Sequence, residues 1–139
     1  MRQKQLVLAA VSLPALVGLK RAMDEHVRII PIYTLDAAIE LLETDAHIAM
    51  IICTVYFDDS RMFDLLRFAH EKFSAIPFVC CRLFEGGLSQ ISAKHLTVAA
   101  ETLGAAAFID MPQLARGSKG PAIDQDFRSR VLAHLPAQI

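Results

Sequence analysis

The sequence predicts an α/β protein whose parallel sheet is covered by helices on both faces. Short apolar runs alternate with amphipathic stretches along the 139 residues, and this alternation is typical of successive βαβ units. The run 48–54 is almost continuously apolar, which predicts a central strand buried on both faces. Pro31 interrupts the second run, and because proline has no amide to donate, that strand is predicted at a sheet edge.

The first half of the chain predicts two strand–helix units. Residues 6–11 form the first predicted strand, and Leu13-Pro14 then begin a helix, since proline is tolerated in the first turn. Residues 27–33 are rich in β-branched residues and predict the second strand. Thr34 is expected to cap the next helix, whose apolar residues follow at helical spacing.

The second half predicts three further strands and their helices. Strands are expected at 48–54, 76–81 and 107–110, each followed by a helical pattern. Gly104 is well placed to end the fourth helix. The expected side-chain caps of the third, fourth and fifth helices are Asp59 or Ser60, Ser89 and Asp124.

These elements predict a flavodoxin-like (βα)5 arrangement, a doubly wound parallel sheet with strand order 2-1-3-4-5. Right-handed crossovers leave few topologies open, and this order places the second strand at an edge, as Pro31 requires. The length predicts one domain spanning residues 1–139.

Composition excludes several classes of partner. The formal net charge of −1 gives no general attraction to nucleic acid or anionic lipid. No apolar run reaches the ~18 to 20 residues that span a bilayer. The three cysteines are odd in number and two are adjacent, which indicates no disulfide framework and favours a reducing cytoplasm.

The whole chain resembles the receiver domain of bacterial two-component response regulators. The segments that carry this resemblance are the strand 6–11, the strand and helix 48–73 with Phe63-Asp64-Leu65-Leu66-Arg67, the run Ile76-Pro77-Phe78-Val79, and Gly104-Ala105 leading to Met111-Pro112.

The resemblance implies a phosphorylation site whose chemical groups are all replaced here. A working receiver has an acceptor aspartate after the third strand and an acidic pair that holds Mg²⁺ after the first. A Thr or Ser ends its fourth strand, and a lysine precedes the proline after its fifth. Such groups attack, bind a hard cation and neutralise the transferred phosphoryl group. Aligned on the third helix, these positions hold Thr54, Ala10-Val11, Arg82 and Met111. We therefore expect no metal, no cofactor and no phosphoryl transfer.

Two alternatives remain open at this place. Asp58 and Asp59 could act as acceptors if the alignment were shifted by four residues, although they also fit a solvated, helix-capping pair. Arg82 could point at Asp58 or Asp59 and lock the loop without phosphate, or it could simply be exposed at a strand end.

Other reactive residues show no pattern of a catalytic or metal site. Cys80 and Cys81 are adjacent, so on a strand they point to opposite faces and cannot both approach Cys53; burial as small hydrophobes is expected. The five histidines lack ligand spacing, and Gly86-Gly87 lack the context of a nucleotide-binding loop. We expect no enzyme, because no nucleophile, base and oxyanion set converges.

The sequence favours a pseudo-receiver, a phosphorylation-independent interaction module of a two-component-type pathway. We expect a protein partner and self-association, by resemblance through a face near Phe108, Met111 and Leu114. Leu83, Phe84 and Leu88 form a second candidate contact patch or fold back onto the fourth helix. The alternative is a sensor of a quinone-like or other small ligand, held in the emptied pocket by Ala10, Val11, Met111 and the cysteines.

Overall fold

A five-stranded parallel sheet, flanked by helices on both faces, forms the framework of the computed structural model, which describes residues 3–83, 90–115 and 120–137. The strands are β1 (Leu6–Ala10), β2 (Arg28–Ile32), β3 (Ile48–Thr54), β4 (Phe78–Arg82) and β5 (Ala107–Asp110). The helices are α1 (Leu13–Met23), α2 (Leu35–Thr44), α3 (Met62–Lys72), α4 (Gln90–Thr102), α5 (Met111–Leu114) and α6 (Pro121–Leu132).

The strand order is β2-β1-β3-β4-β5, and all four strand pairs are parallel, so the predicted topology is confirmed. Pro31 lies in the edge strand β2, as predicted. The amide of Arg28 and the carbonyl of Ile32 both bond towards β1. Because backbone groups alternate in direction along a strand, the nitrogen of Pro31 faces the open edge, where a missing donor costs no ladder hydrogen bond.

The sheet separates two apolar cores. One core, here called the α1/α6 face, contains Leu19 and Met23 of α1 with Phe127 and Val131 of α6. The other, here called the α2/α3/α4 face, contains residues of those three helices: Ala38, Leu42, Met62, Leu65, Leu66, Ala69 and Ala100. Every residue of β4 is buried, which agrees with the apolar run that precedes its last residue, Arg82.

Two helix ends have the capping interactions that the sequence predicts. Thr34 Oγ1 accepts the amide of Ala37 at 3.2 Å and caps α2. Gly104 has φ +107 and follows α4. The amides of Gly104 and Ala105 bond to the carbonyls of Glu101 and Ala100, which is the Schellman arrangement.

Three expectations about helices need correction. A sixth, four-residue helix, α5, begins at Met111 directly after β5. The N-cap of α3 is Arg61 without a side-chain cap, because Asp59 and Ser60 belong to a left-handed turn. Asp124 lies inside α6, which begins at Pro121, and its carboxylate pairs with Arg21 instead. Ser89, Phe84, Gly86, Gly87 and Leu88 lie outside the described residues.

The described helices include none that is both long and apolar enough to cross a membrane.

Candidate functional site

The carboxyl ends of the strands meet along one edge of the sheet, which is where open α/β sheets bind their ligands. We call this edge the rim. It comprises the last residues of β1, β3, β4 and β5 with the residues that follow β1 and β5. They are Ala10, Val11, Thr54, Arg82, Asp110 and Met111, and all six are buried.

Thr54 ends β3, at the acceptor position implied by the resemblance. Its hydroxyl is fully buried and has no hydrogen-bond partner in the part of the chain that the structure describes. Side-chain alternation puts Thr54 on the α1/α6 face, like Ile52 two residues earlier. A hydroxyl here cannot form the acyl phosphate that a carboxylate would form.

Apolar side chains occupy the positions that the resemblance implies for the acidic pair and the lysine. Val11 and Met111 are both fully buried in the core of the α1/α6 face, together with Phe127. Ala10 is fully buried on the opposite, α2/α3/α4 face. These side chains offer no ligand to a hard cation and no positive charge to a phosphoryl group.

The charged groups of the rim are Arg82 and Asp110, which pair with each other. Arg82 and Asp110 are register partners at the ends of β4 and β5. Alternation turns both side chains to the face of Cys80 and Phe108. Arg82 Nε donates to Asp110 Oδ1 at 3.1 Å and Arg82 Nη2 to Oδ2 at 3.0 Å, with both side chains 7% exposed. This two-pronged geometry is the strong form of a charge-assisted pair.

The burial of Arg82 against Asp110 corrects both expectations for this arginine. Arg82 is not exposed at its strand end, and its carboxylate partner is Asp110 instead of Asp58 or Asp59. The physical reason is the β4–β5 register, which sets a carboxylate opposite the guanidinium at the same depth. Sequence analysis missed Asp110, although a single charge ends each of two adjacent apolar strands.

Asp58 and Asp59 follow β3 in a loop and have different environments. Asp58 Oδ2 accepts the backbone amide of Leu35 at 2.7 Å, so it caps α2. Asp59 is exposed. The expected helix-capping role therefore holds for Asp58, but on α2 instead of α3.

The expected interaction face is partly buried. Phe108 and Leu114 are each half-buried and pack against opposite cores. Met111 is fully buried and offers no surface to a partner, because it begins α5 and turns into the α1/α6 core. Leu83, from the second patch, is also buried.

The cysteines behave as buried apolar residues. Cys53 and Cys80 are register partners on the α2/α3/α4 face, while Cys81 faces the opposite core, as alternation requires. None of the three is joined in a disulfide among the residues that the structure describes. Burial raises the pKa of the Cys80 thiol to about 12, which keeps it neutral and unreactive at ordinary pH.

The described ranges contain no metal cluster, and a large groove lies away from the rim. Within residues 3–83, 90–115 and 120–137, no three His, Cys, Asp or Glu side chains group closely enough to hold a metal ion. A groove of about 1180 Å³ lies at the opposite, amino end of the strands. The charged residues that line it are Lys4, Lys20, Arg28, Asp24 and Glu25. Its cations and carboxylates nearly balance, so it selects no charge class of ligand.

Comparison with known proteins identifies the fold. No protein-family model and no curated protein matches the chain. Among solved structures, the N-terminal signal receiver domain of a two-component response regulator from Bacteroides fragilis superposes with a TM-score of 0.71 at 12% identity, covering 99% of this chain and 100% of that one.

Two further solved structures agree with it. An orphan response regulator of H. pylori gives a TM-score of 0.69 at 15% identity, over 98% of this chain and 100% of that one. A response regulator from Thermotoga maritima gives 0.68 at 16%, over 94% and 96%. The chain therefore has the fold of a response regulator receiver domain.

Proposed function

We propose that this protein is a pseudo-receiver, a signalling module of a bacterial two-component-type pathway that acts by binding a protein without being phosphorylated. The observation that carries the proposal is the buried Arg82–Asp110 pair at the rim of a receiver fold. An internal guanidinium and carboxylate neutralise each other where a receiver would assemble its phosphorylation site.

The chemistry of the remaining rim residues supports the same proposal. Phosphoryl transfer needs a nucleophilic carboxylate and cations that neutralise the developing charge. Thr54, Ala10, Val11 and Met111 supply neither, and Asp58 is committed to the amino end of α2. A receiver fold without the groups for phosphoryl transfer is suited to binding a protein, and we propose no enzymatic activity.

Packing at the rim favours an interaction module over a small-ligand sensor. A quinone-like ligand would need the space at Val11 and Met111, and both side chains are themselves fully enclosed by the α1/α6 core. Large apolar side chains are instead exposed on the outside: Leu13, Val17, Tyr33 and Val98. Leu13 and Val17 lie one turn apart on α1, and this adjacent exposed pair supports a protein partner, including a second copy of the chain.

Exposure to acetyl phosphate and Mg²⁺, followed by intact-mass measurement, tests the absence of phosphorylation. We expect no gain of a phosphoryl group, while a receiver with an acceptor aspartate gains one under the same conditions. An Asp58→Asn, Asp59→Asn double variant is the matched control. A stable mass gain in the native chain that this variant loses contradicts the proposal.

Light scattering tests self-association. We expect a dimer whose population rises with concentration and falls in a Leu13→Lys or Val17→Lys variant, because a charge opposes burial of the exposed apolar pair on α1. A monomer at every concentration rules out the second copy as the partner.

A further inference from the structure

The loop after β3 contains three successive residues with left-handed backbone. Asp58, Asp59 and Ser60 have φ values of 44, 57 and 64. The amide of Arg61 donates to the carbonyl of Phe57 at 2.7 Å and closes the turn. Residues other than glycine adopt this conformation rarely and usually singly, so a run of three is strained and has to be held by its surroundings.

One side chain of the turn is bonded to a distant helix. Asp58 Oδ2 accepts the amide of Leu35, the first residue of α2, at 2.7 Å across 23 residues of sequence. The first amides of a helix have no partner within the helix, and a carboxylate is favoured at its positive end. Thr34 covers a different amide, that of Ala37, so Asp58 is not redundant.

Buried residues on both sides confine the strain to the turn. Phe57 is fully buried before it and Met62 is 1% exposed after it, both in the α2/α3/α4 core. Thr54, four residues before Asp58, has a buried hydroxyl without a partner among residues that the structure describes. The latched loop therefore contains two unfavourable features, a left-handed backbone and an unpaired hydroxyl. The charge-assisted Asp58–Leu35 hydrogen bond opposes them from outside the turn, and the Arg61–Phe57 backbone hydrogen bond opposes them from within it.

We propose that the Asp58–Leu35 hydrogen bond is a latch, and that residues 54–61 exchange between this latched turn and an unlatched conformation. In the unlatched state the backbone of Asp59 and Ser60 leaves the left-handed region, the amino end of α2 is uncovered, and Thr54 gains access to a hydrogen-bond partner. The rim thus carries a conformational device controlled by one carboxylate, whether or not the protein is a pseudo-receiver.

Amide hydrogen exchange of the full chain, resolved by NMR at Leu35 and Arg61, tests the latch. Asp58→Ala is expected to speed exchange of the Arg61 amide on the order of tenfold, because losing a hydrogen bond to a charged group releases the turn. This effect is indirect, since the Asp58 side chain bonds the Leu35 amide and the Arg61 amide bonds the Phe57 carbonyl. Ser60→Gly is expected to slow exchange at Leu35 about fivefold, although Ser60 does not contact it, because glycine removes the left-handed penalty of the latched state.

These reciprocal effects distinguish a latch, in which the turn and the cap of α2 are coupled, from a turn and a cap that are independent. If Asp58→Ala changes only Leu35 and Ser60→Gly changes only Arg61, the turn and the cap are independent and the proposal is wrong. Asp59→Asn is the matched control, expected to change neither amide more than twofold, since asparagine tolerates this backbone. Unchanged exchange in β1 reports that each variant is folded. Should Asp58→Ala not fold, Asp58→Asn keeps a neutral acceptor and is expected to give the same pattern with smaller changes.

Discussion

At the residue scale, Thr34 and Thr54 show what a threonine hydroxyl contributes with and without a hydrogen-bond partner. Thr34 Oγ1 accepts the amide of Ala37 and completes the start of α2. Thr54 Oγ1 is buried and finds no partner within the described ranges. A satisfied cap stabilises the fold, whereas a buried, unsatisfied hydroxyl opposes it.

Replacing each threonine by the isosteric valine is therefore expected to shift stability in opposite directions. Thr54→Val should raise the free energy of unfolding by about 1 kcal/mol because it removes the unpaired hydroxyl without changing the volume. Thr34→Val should lower it by about 1 kcal/mol because the cap is lost. Urea unfolding measures both, and a destabilising Thr54→Val would mean that its hydroxyl is bonded in solution.

The Arg82–Asp110 pair should behave as a buried unit. Asp110→Leu or Arg82→Met alone removes one member of the buried ion pair and is expected to cost about 3–5 kcal/mol of unfolding free energy. The double variant Arg82→Met, Asp110→Leu should cost much less than the sum, because no isolated charge remains.

The exposed pair Arg21–Asp124 is the matched control for this cycle. Its arginine side chain is 57% exposed, so Arg21→Ala is expected to cost less than about 1 kcal/mol. Additive effects of Arg82→Met and Asp110→Leu in urea unfolding would show that the two groups do not depend on each other.

At the scale of elements, two glycines show how a helix interior and a helix end differ. Gly18 lies inside α1, where an added Cβ would meet only Arg21 Nη2 at 3.8 Å. Gly104 lies beyond α4 with φ +107, and an added Cβ would press on the ring of His70 in α3, 2.7 Å from its Cε1. The Gly104 backbone therefore ends α4 and permits the close approach of α3.

Alanine at these two positions is expected to have opposite effects on thermal unfolding. Gly18→Ala should stabilise by about 0.5–1 kcal/mol, since alanine is the better helix former. Gly104→Ala should destabilise by about 1–2 kcal/mol through its left-handed backbone. Adding His70→Ala to Gly104→Ala separates the two causes: a full recovery of stability would show that the ring contact, and not the backbone, is limiting.

At the scale of the whole molecule, covering the sheet on both faces removes the central strands from water. Cys80 lies in β4 between the two cores, and this burial raises the pKa of its thiol from the ordinary 9.0 to about 12. The folded state thus holds the Cys80 proton more tightly than the unfolded state does. That contribution to stability is fully present below pH 9 and is lost as the pH rises towards 12.

Stability is accordingly expected to fall more steeply between pH 9 and 12 in the native chain than in Cys80→Ala. The variant starts from a lower free energy of unfolding because it leaves a small cavity, so the comparison concerns the slope with pH and not the absolute value. Urea unfolding at a series of pH values measures that slope. Equal slopes would show that the pKa of Cys80 is the same in the folded and the unfolded chain, which contradicts the prediction.

Local sequence patterns determined the framework of this protein. Alternating apolar runs and the proline of β2 predicted a parallel sheet of order 2-1-3-4-5, and the structure has it. Thr34 and Gly104 predicted their helix ends because a cap and a left-handed residue act on amides a few positions away. The replacement of the receiver's charged residues stays a prediction, since it depends on the alignment that the resemblance implies.

Only the tertiary structure decided which polar groups meet. Arg82 reaches Asp110 across 28 residues of sequence and Asp58 reaches Leu35 across 23, and neither pairing has a local signature. The first depends on the register between β4 and β5, and the second on how the loop after β3 approaches the start of α2. Periodicity and composition fix the face to which a side chain turns, whereas the depth at which two strands align is set by the packing of the whole sheet.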